Sequence, residues 1–432
     1  MRFRFAAFAL LISLAMNDEE LFAADDLPPP NYDEDKVGSY LLPDPLTCLD
    51  GAPVVDAATW TSKRRPELLE LYRREMFGRA PAKPTEMTFE QANVDEQALG
   101  GLATRKEVLI RVAPDAPVIR LLLYVPNKRP AGKPAPVFLG MNFDGNHTVD
   151  ADPGITLVEA WQYDRATKTE SQVKPDELKR GASASRWPLK LILERGYAVA
   201  TFPRSDVEAD YDDGWRHGLR GYYLKKSGRT EFAPDDWGAI GAWAWSMSRA
   251  IDYLETDASC DAKRVVIHGH SRLGKTSLWC GAEDTRAAIV ISNDSGEGGA
   301  ALARRKFGET TIVLNTRFPH WFCGNFKKYS EKESTLPFDS HELIALSAPR
   351  PVYVASATED QWADPKGEFL ATQHALPVYA LFGKKQAAVE RQPSPETPIG
   401  DVVGYHLRTG KHDITEYDWR RYLDFADRHF GR

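Results

Sequence analysis

The sequence predicts an α/β fold, a three-layer α/β/α sandwich whose central sheet is mostly parallel. Two observations support this prediction. Short β-branched runs alternate with longer segments of helical periodicity along most of the chain, and this alternation is typical of a parallel sheet that helices cover on both faces. Only short loops separate the first predicted strands, which indicates an antiparallel start to the sheet.

The individual elements follow from hydrophobic periodicity and from the turn residues at their ends. Strands are predicted at Glu107–Val112, Ile119–Val125, Val137–Met141, Tyr197–Phe202, Val265–His268, Ala287–Ser292 and Val352–Ala355. Helices are predicted over residues 66–76 and at Ser185–Arg195, Asp235–Leu254, Ser271–Cys280, His341–Leu346 and Thr415–Phe430. The polar stretch from Asp144 to Ala184 is expected to be irregular and to form an insertion near the rim of the functional site.

The N-terminus predicts export from the cytoplasm. Two arginines precede an apolar run, Phe5–Met16, and two alanines end the segment at residue 24. This order is typical of a secretory signal peptide, and the run is too short to span a membrane. We therefore assign residues 1–24 to a signal peptide, 25–45 to a Pro- and Asp-rich linker or strap, and 46–432 to one large α/β domain. A secreted or periplasmic location is expected.

Composition limits the possible partners. The chain has 432 residues, of which 42% are hydrophobic, and a formal net charge of −7. A mildly acidic protein offers no basic surface for nucleic acid, and no further segment is long and apolar enough to cross a membrane. We expect neither partner, and we expect a monomer. Four cysteines could form up to two disulfides or remain buried free thiols; they are Cys48, Cys260, Cys280 and Cys323.

The strongest chemical signal is a serine between a predicted strand and a predicted helix. The apolar run Val265–Ile267 leads into Gly269-His270-Ser271-Arg272-Leu273-Gly274. A serine on such a turn, with glycine two residues before it, is typical of the nucleophile elbow of α/β-hydrolases. Here the second glycine follows the serine by three residues instead of two. The pattern predicts Ser271 as a nucleophile in acyl transfer, and the competing interpretation is a serine that caps a buried helix.

From this motif onward the chain resembles the glucuronoyl esterases, carbohydrate esterase family 15, and particularly their bacterial members. The landmarks occur in the expected order within residues 50–432: Gly269–Lys275, Asn293–Gly299, Arg305–Glu309, Phe318–Phe322, Glu359–Pro365 and Lys411–Thr415. The resemblance implies an α/β-hydrolase fold and a serine carboxylic ester hydrolase without metal or cofactor. Its expected substrate is glucuronoxylan or a lignin–carbohydrate ester, cleaved between (4-O-methyl-)glucuronic acid and a lignin alcohol.

The general base and the acid should follow the nucleophile along the chain, because α/β-hydrolases have the order nucleophile, acid, histidine. His412 lies in a loop before the last predicted helix and in the family's histidine motif, and His406 is the alternative. Two carboxylates compete to orient the imidazole. We prefer Asp360, which follows the strand Val352–Ala355. Asp294, where fungal members carry a glutamate, is either a second hydrogen-bond partner or the acid itself.

Further residues are candidates for binding the oxyanion and the sugar. Arg272 stands where a helix dipole disfavours a cation, and the resemblance implies that its side chain stabilises the oxyanion. The loop Asn142–His147 is a candidate for a second oxyanion donor. The resemblance also places Lys275 and Glu309 on vicinal sugar hydroxyls, and Trp362 against the pyranose ring or hydrogen-bonded to it through the indole N–H.

Two other functions are compatible with the sequence. A carboxylesterase for acetylated or feruloylated polysaccharide would use the same nucleophile, base and acid. The positive charges of Arg272 and Lys275, however, have no obvious use beside an acetyl group. A non-catalytic carbohydrate-binding protein on the same scaffold would be expected to have lost a triad member, and the sequence shows none lost.

Overall fold

The computed structural model describes residues 27–129 and 133–432, so the predicted signal peptide, residues 1–24, lies outside the described residues. The strands are β1 Thr88–Gln97, β2 Ala103–Arg111, β3 Val118–Pro126, β4 Ala135–Asn142, β5 Ala160–Asp164, β6 Thr169–Val173, β7 Ala198–Pro203, β8 Cys260–His270, β9 Ala287–Asn293, β10 Val352–Ala357 and β11 Val403–Arg408. The α-helices are α1 Ala57–Thr59, α2 Arg65–Tyr72, α3 Ala98–Gly101, α4 Leu189–Glu194, α5 Leu219–Lys226, α6 Ala239–Leu254, α7 Arg272–Glu283, α8 Thr311–Arg317, α9 Ser340–Ala345, α10 Pro365–Leu381 and α11 Glu416–Phe430.

One large sheet organises the molecule, in the order β1-β2-β3-β7-β4-β8-β9-β10-β11. The pairings from β1 to β7 are antiparallel, and those from β7 to β11 are parallel. Successive side chains of a strand point to opposite faces, and accordingly Val265 and Ile267 belong to one hydrophobic core cluster and Val266 to another. The predicted α/β fold is confirmed, including its antiparallel start and all the predicted strands.

Several elements were not predicted from the sequence, and each has a local reason. Strand β1 lies at the sheet edge and is mostly exposed and polar, so it lacks an apolar alternation. The hairpin β5–β6 lies in the stretch that was expected to be irregular. Helix α10 contains Pro377, which disfavours a helix prediction. The predicted helix over residues 66–76 is α2 followed by a π-helical turn, Arg73–Phe77.

The topology brings distant loops to one edge of the sheet, because parallel strands all end there. The strand ends that meet at this edge are Asn142, Pro203, His270, Asn293, Ala357 and Arg408. Residues from the loops that follow these strands therefore surround Ser271, although they are far apart in the chain.

The segment before the predicted domain is in contact with the loops of this edge. The backbone N–H of Gly308 donates to the carbonyl oxygen of Asn31 at 2.8 Å. Arg305 and Lys366 both donate to the Glu34 carboxylate at 2.6 Å.

The four cysteines are buried free thiols. Among the residues described, no helix is long and apolar enough to cross a membrane.

Candidate active site

Ser271 lies on the turn between the last residue of β8, His270, and the first residue of α7, Arg272. Its backbone has φ 57° and ψ −131°, a conformation that costs free energy for a residue with a Cβ and that occurs mainly at functional sites. A hydrogen bond of 2.8 Å from Ser271 N to Asn293 O fixes the turn. The strand–turn–helix context that the elbow motif requires is therefore present.

Close contacts explain both glycines of the motif. A Cβ at Gly269 would lie 1.9 Å from the carbonyl oxygen of Leu273. A Cβ at Gly274 would lie 2.9 Å from the Cβ of Ser295 and 3.1 Å from the carbonyl oxygen of Asn293. The second glycine is thus needed three residues after the serine, where α7 packs against the residues at the end of β9. The unusual spacing of the motif follows from this contact.

His412 and Asp360 form a direct hydrogen bond. His412 follows β11, and its Nδ1 donates to Asp360 Oδ2 at 2.6 Å. The Asp360 side chain is fully buried, whereas 31% of the His412 side chain is exposed. This contact assigns the proton to Nδ1, so Nε2 remains as the acceptor that a general base requires.

A second histidine supports the His412 ring. The rings of His270 and His412 lie 4.4 Å apart, and His270 Nδ1 is bonded to Asn293 Oδ1 at 2.6 Å. Burial lowers the pKa of His270 well below its ordinary value. His270 is therefore neutral at neutral pH and packs against His412 without adding a charge that would oppose protonation of that ring.

Asp294 lies beside the same pair. Three potential metal-ligand atoms, one each from Asp294, Asp360 and His412, lie within 4.8 Å of one another, and a metal ion would also fit this spacing. The hydrogen bond to Asp360 already engages Nδ1 of His412. Burial raises the pKa of the Asp294 carboxyl well above its ordinary value, and the charge of Asp360 adds to this effect. Arg408 Nη2, 3.7 Å away, opposes it. The neutral form of Asp294 is thus favoured, and Asp360 is the carboxylate that is hydrogen-bonded to His412.

The alternative base, His406, is engaged elsewhere. It is fully buried, and its Nε2 is bonded to Asp418 Oδ1 at 2.8 Å. Its Nδ1 lies 3.0 Å from the hydroxyl of Tyr353. Arg408 connects this buried pair to the His412 loop, because its Nη2 donates to the carbonyl oxygens of Lys411 and Asp413 at 2.9 Å. His406 is therefore part of the support beneath the loop.

The Arg272 side chain contacts one carboxylate and three aromatic rings. Its Nη1 donates to Asp210 Oδ2 at 2.5 Å. Its guanidinium carbon lies 4.9 Å from the ring centroid of Trp321, 5.6 Å from that of Phe318 and 5.9 Å from that of Phe143. Sequence reasoning missed Asp210. Its only signal was the acidic run Glu208 to Asp213, in the loop after β7, a buried strand that ends at the active-site edge.

The three predicted sugar-binding residues lie together. Lys275 Nζ donates to Glu309 Oε2 at 2.7 Å and to the carbonyl oxygens of Ser295 and Glu297 at 2.7 and 2.5 Å. All three protons of the ammonium group therefore have acceptors within the protein. Glu309 N donates to the carbonyl oxygen of Trp362 at 2.8 Å, and the Trp362 side chain is half-buried. The geometry thus presents Glu309 as a carboxylate that Lys275 holds in place.

The loop Asn142–His147 adjoins the site from another side. Gly145 N donates to Asn142 Oδ1 at 2.9 Å, which folds the loop back on itself. The Phe143 ring lies 6.2 Å from that of His270. A cleft of about 1160 Å³ opens between this loop and the β5–β6 hairpin. Phe143 and Asp210 line the cleft, whereas the three sugar-binding candidates do not.

Comparison with known proteins identifies the family. A model of fungal glucuronyl esterases matches residues 183–383. Carbohydrate esterase MZ0003, from an unidentified prokaryote, is 49% identical over 401 residues, which are 92% of each chain. The solved structure of a glucuronoyl esterase from Solibacter usitatus has 52% sequence identity and a TM-score of 0.87, over 92% of this chain and 100% of that one. 4-O-methyl-glucuronoyl methylesterase 1 from Phanerochaete chrysosporium is 32% identical over 219 residues, which are 46% of this chain and 44% of that protein. The chain therefore belongs to the glucuronoyl esterases, carbohydrate esterase family 15.

Proposed function

We propose that this carboxylic ester hydrolase cleaves the ester between (4-O-methyl-)glucuronic acid on xylan and alcohol groups of lignin. One observation carries the proposal: the strained turn at Ser271, the His412–Asp360 hydrogen bond and the buried Lys275–Glu309 pair lie at a single edge of the sheet. Nucleophile, base and a polar group for sugar hydroxyls are thus available to one substrate. Similarity to 4-O-methyl-glucuronoyl methylesterases supports the choice of acyl group.

The reaction proceeds by two acyl transfers. Nε2 of His412 takes the proton of Ser271 Oγ, which attacks the uronate carbonyl carbon. Arg272 stabilises the negative charge that forms on the carbonyl oxygen. His412 then gives its proton to the departing alcohol. Water, deprotonated by His412, attacks the acyl-enzyme, and glucuronate leaves while Ser271 regains its proton.

Asp360 is proposed as the acid that orients His412 and stabilises its charged form. Asp294 is proposed as a second carboxylate that can replace part of this charge when Asp360 is lost. Glu309 accepts a hydrogen bond from a sugar hydroxyl, and Trp362 contacts the ring. Lys275 is already hydrogen-bonded inside the protein, so it acts mainly by holding Glu309. A carboxylate held near the acyl side suits a sugar acid better than an acetyl group, because an acetyl group has no hydroxyl to donate.

We also propose that the enzyme acts outside the cytoplasm, secreted or periplasmic, as a monomer. The signal-like order of residues 1–24 supports export. Residues 25–45 then form a strap on one catalytic domain, residues 46–432; the contacts of Asn31 and Glu34 with the domain support this division. Identity of about half of the residues to a prokaryotic protein and to one from Solibacter usitatus supports a bacterial origin.

The test compares purified protein and its Ser271→Ala variant on benzyl glucuronate, acetylated xylan and a feruloyl ester. We expect the wild type to hydrolyse benzyl glucuronate with the highest kcat/KM of the three, and Ser271→Ala to have no measurable turnover. Ser62→Ala, which changes an exposed serine, is the matched control. Retained activity of Ser271→Ala would refute the nucleophile, and a preference for acetylated xylan or the feruloyl ester would refute the substrate.

A further inference from the structure

The carboxylate of Asp210 receives hydrogen bonds from three separate segments. Oδ2 accepts from Arg204, on its own loop, and from Arg272 at 2.5 Å. Oδ1 accepts from His320 Nε2 and from Trp321 Nε1, both at 2.8 Å. His320 and Trp321 follow α8, whereas Arg272 begins α7. Because both oxygens are engaged from different directions, the carboxylate has little freedom to rotate.

Asp210 places one negative charge between two guanidinium groups. Arg204 and Arg272 carry two positive charges, and Asp210 compensates one of them. Burial lowers the pKa of His320 to about 3, so this ring is neutral at neutral pH and donates its N–H without adding charge. The side chain of Asp210 is 5% exposed and that of Arg272 is 16% exposed. In such a poorly hydrated place, the like charges of the two guanidinium groups repel each other, and the Asp210 carboxylate between them offsets this repulsion.

The position of the Arg272 guanidinium depends on the same cluster. An arginine side chain loses considerable rotamer entropy when it is held in one place. Here the Asp210 carboxylate engages Nη1, and the ring of Trp321, which also donates to Asp210, lies 4.9 Å from the guanidinium carbon. The rings of Trp321 and Phe318 are stacked with their centroids 3.8 Å apart, and together they form a fixed aromatic wall beside the guanidinium. Asp210 and the aromatic wall thus hold the guanidinium at one place before substrate arrives.

We propose that Asp210 is a positioning residue for the oxyanion-stabilising arginine, Arg272. It does not touch the substrate; it holds a fixed cation where negative charge develops, so that little reorganisation is needed during the reaction. Arg204 donates to the same carboxylate oxygen as Arg272 and adds a second positive charge beside it. This inference rests on the role proposed above for Arg272 and goes beyond it, since it names the group that keeps the arginine in its working position.

The test is a double-mutant cycle of Asp210→Asn and Arg272→Gln on benzyl glucuronate. Loss of one oxyanion donor costs roughly 10²- to 10³-fold in kcat, and we expect Arg272→Gln to fall in this range. Asp210→Asn should lower kcat by roughly 10- to 100-fold with little change in KM, because the residues proposed to bind the sugar are untouched. In the Arg272→Gln background, Asp210→Asn should change kcat less than about twofold.

Asp206→Asn is the matched control. Asp206 lies on the same loop, is also buried and is bonded to Arg120 instead of Arg272, so its loss tests for general damage to the loop. We expect its kcat to be unchanged even where its melting temperature falls. Should Asp210→Asn be unfolded at the assay temperature, Trp321→Phe enters the same cycle, because it removes one donor to Asp210 and keeps a ring beside the guanidinium.

The outcomes separate this inference from the proposed function. An equal loss of kcat from Asp210→Asn, or from Trp321→Phe, in both backgrounds would overturn the positioning role. A rise in KM with unchanged kcat would overturn it too, because it would mean that Asp210 binds substrate. If Arg272→Gln alone leaves kcat unchanged, the oxyanion role of Arg272 fails, and the positioning role fails with it. Inactivity of the wild type on every glucuronate ester would instead contradict the proposed function.

Discussion

The choice between the two carboxylates beside His412, the proposed base, leads to a quantitative prediction. Asp360 is hydrogen-bonded to His412 at 2.6 Å, and ligand atoms of Asp294 and His412 lie within 4.8 Å. Replacing Asp360 by asparagine removes the nearer charge and leaves the other. It also removes one of the causes that raise the pKa of Asp294. Asp294 therefore ionises more readily in Asp360→Asn and replaces part of the lost charge.

The size of the effect follows from Coulomb's law. At an effective dielectric constant of about 20, a unit charge 2.6 Å from the imidazolium contributes roughly 6 kcal/mol, and one at the outer limit of 4.8 Å contributes roughly 3.5 kcal/mol. The difference is at most about 3 kcal/mol, which corresponds to a loss of up to roughly 10²-fold in kcat. Removal of both charges should approach the roughly 10⁴-fold loss expected when a triad acid is neutralised. Asp294→Asn alone should cost less than about tenfold.

The assay is kcat on benzyl glucuronate as a function of pH for the two single variants and the double variant. In Asp360→Asn the remaining charge is lost as pH falls through the pKa of Asp294, which is raised above 3.8. The activity that Asp294 restores in Asp360→Asn should therefore fall as the pH falls, whereas the double variant, which lacks both carboxylates, should not show this loss. Glu359→Gln, at an exposed neighbouring carboxylate, is the control. If Asp294→Asn costs 10²-fold and Asp360→Asn less than tenfold, Asp294 is the acid and this reasoning is wrong.

Three further predictions concern the site and its surroundings. Lys275→Met leaves Glu309 buried without its cation, so the free energy of unfolding should fall by roughly 3–5 kcal/mol and KM for glucuronate esters should rise. Urea denaturation and steady-state kinetics test these two effects, and an unchanged KM would exclude the Lys275–Glu309 pair from substrate binding. Gly269→Ala places a Cβ 1.9 Å from the carbonyl oxygen of Leu273, so we expect a loss of about 3 kcal/mol or more; an active variant with an unchanged melting temperature would contradict the elbow geometry. All four cysteines are free and buried. Dithiothreitol should therefore leave the melting temperature unchanged, and a thiol reagent should react with the cysteines only after unfolding. A lower melting temperature under reducing conditions would indicate a disulfide.

Most of the correct structural predictions came from local sequence patterns, namely short hydrophobic runs and glycines at turns. The strands of the parallel part of the sheet are short buried runs between turn residues, and such runs can be recognised without knowledge of their partners. The turn at Ser271 could be recognised as well, because its glycines satisfy contacts within the motif and with the next strand. Strand β1 could not be recognised, since an exposed polar edge strand has no hydrophobic pattern.

The partners of the site residues could not be predicted in the same way. Asp210 and Arg272 are 62 positions apart, and nothing in either neighbourhood indicates that they meet. Lys275 was expected to bind sugar hydroxyls, but its protons are donated to Glu309 and to two carbonyl oxygens that the fold brings to it. Contacts of this kind depend on loop conformations, which no periodicity encodes.

The sequence by itself determined the fold class and marked Ser271 and the loop of His412 as candidates for nucleophile and base, because a strained turn and the order of elements leave local signatures. Only the tertiary structure decided which carboxylate faces His412. Asp360 and Asp294 both follow parallel strands that end at the same edge, so both were plausible from the sequence. Asp360 forms the 2.6 Å hydrogen bond, whereas the burial of Asp294 beside other acids raises its pKa and favours its neutral form. Burial and distance between groups far apart in the chain arise only when the chain is folded.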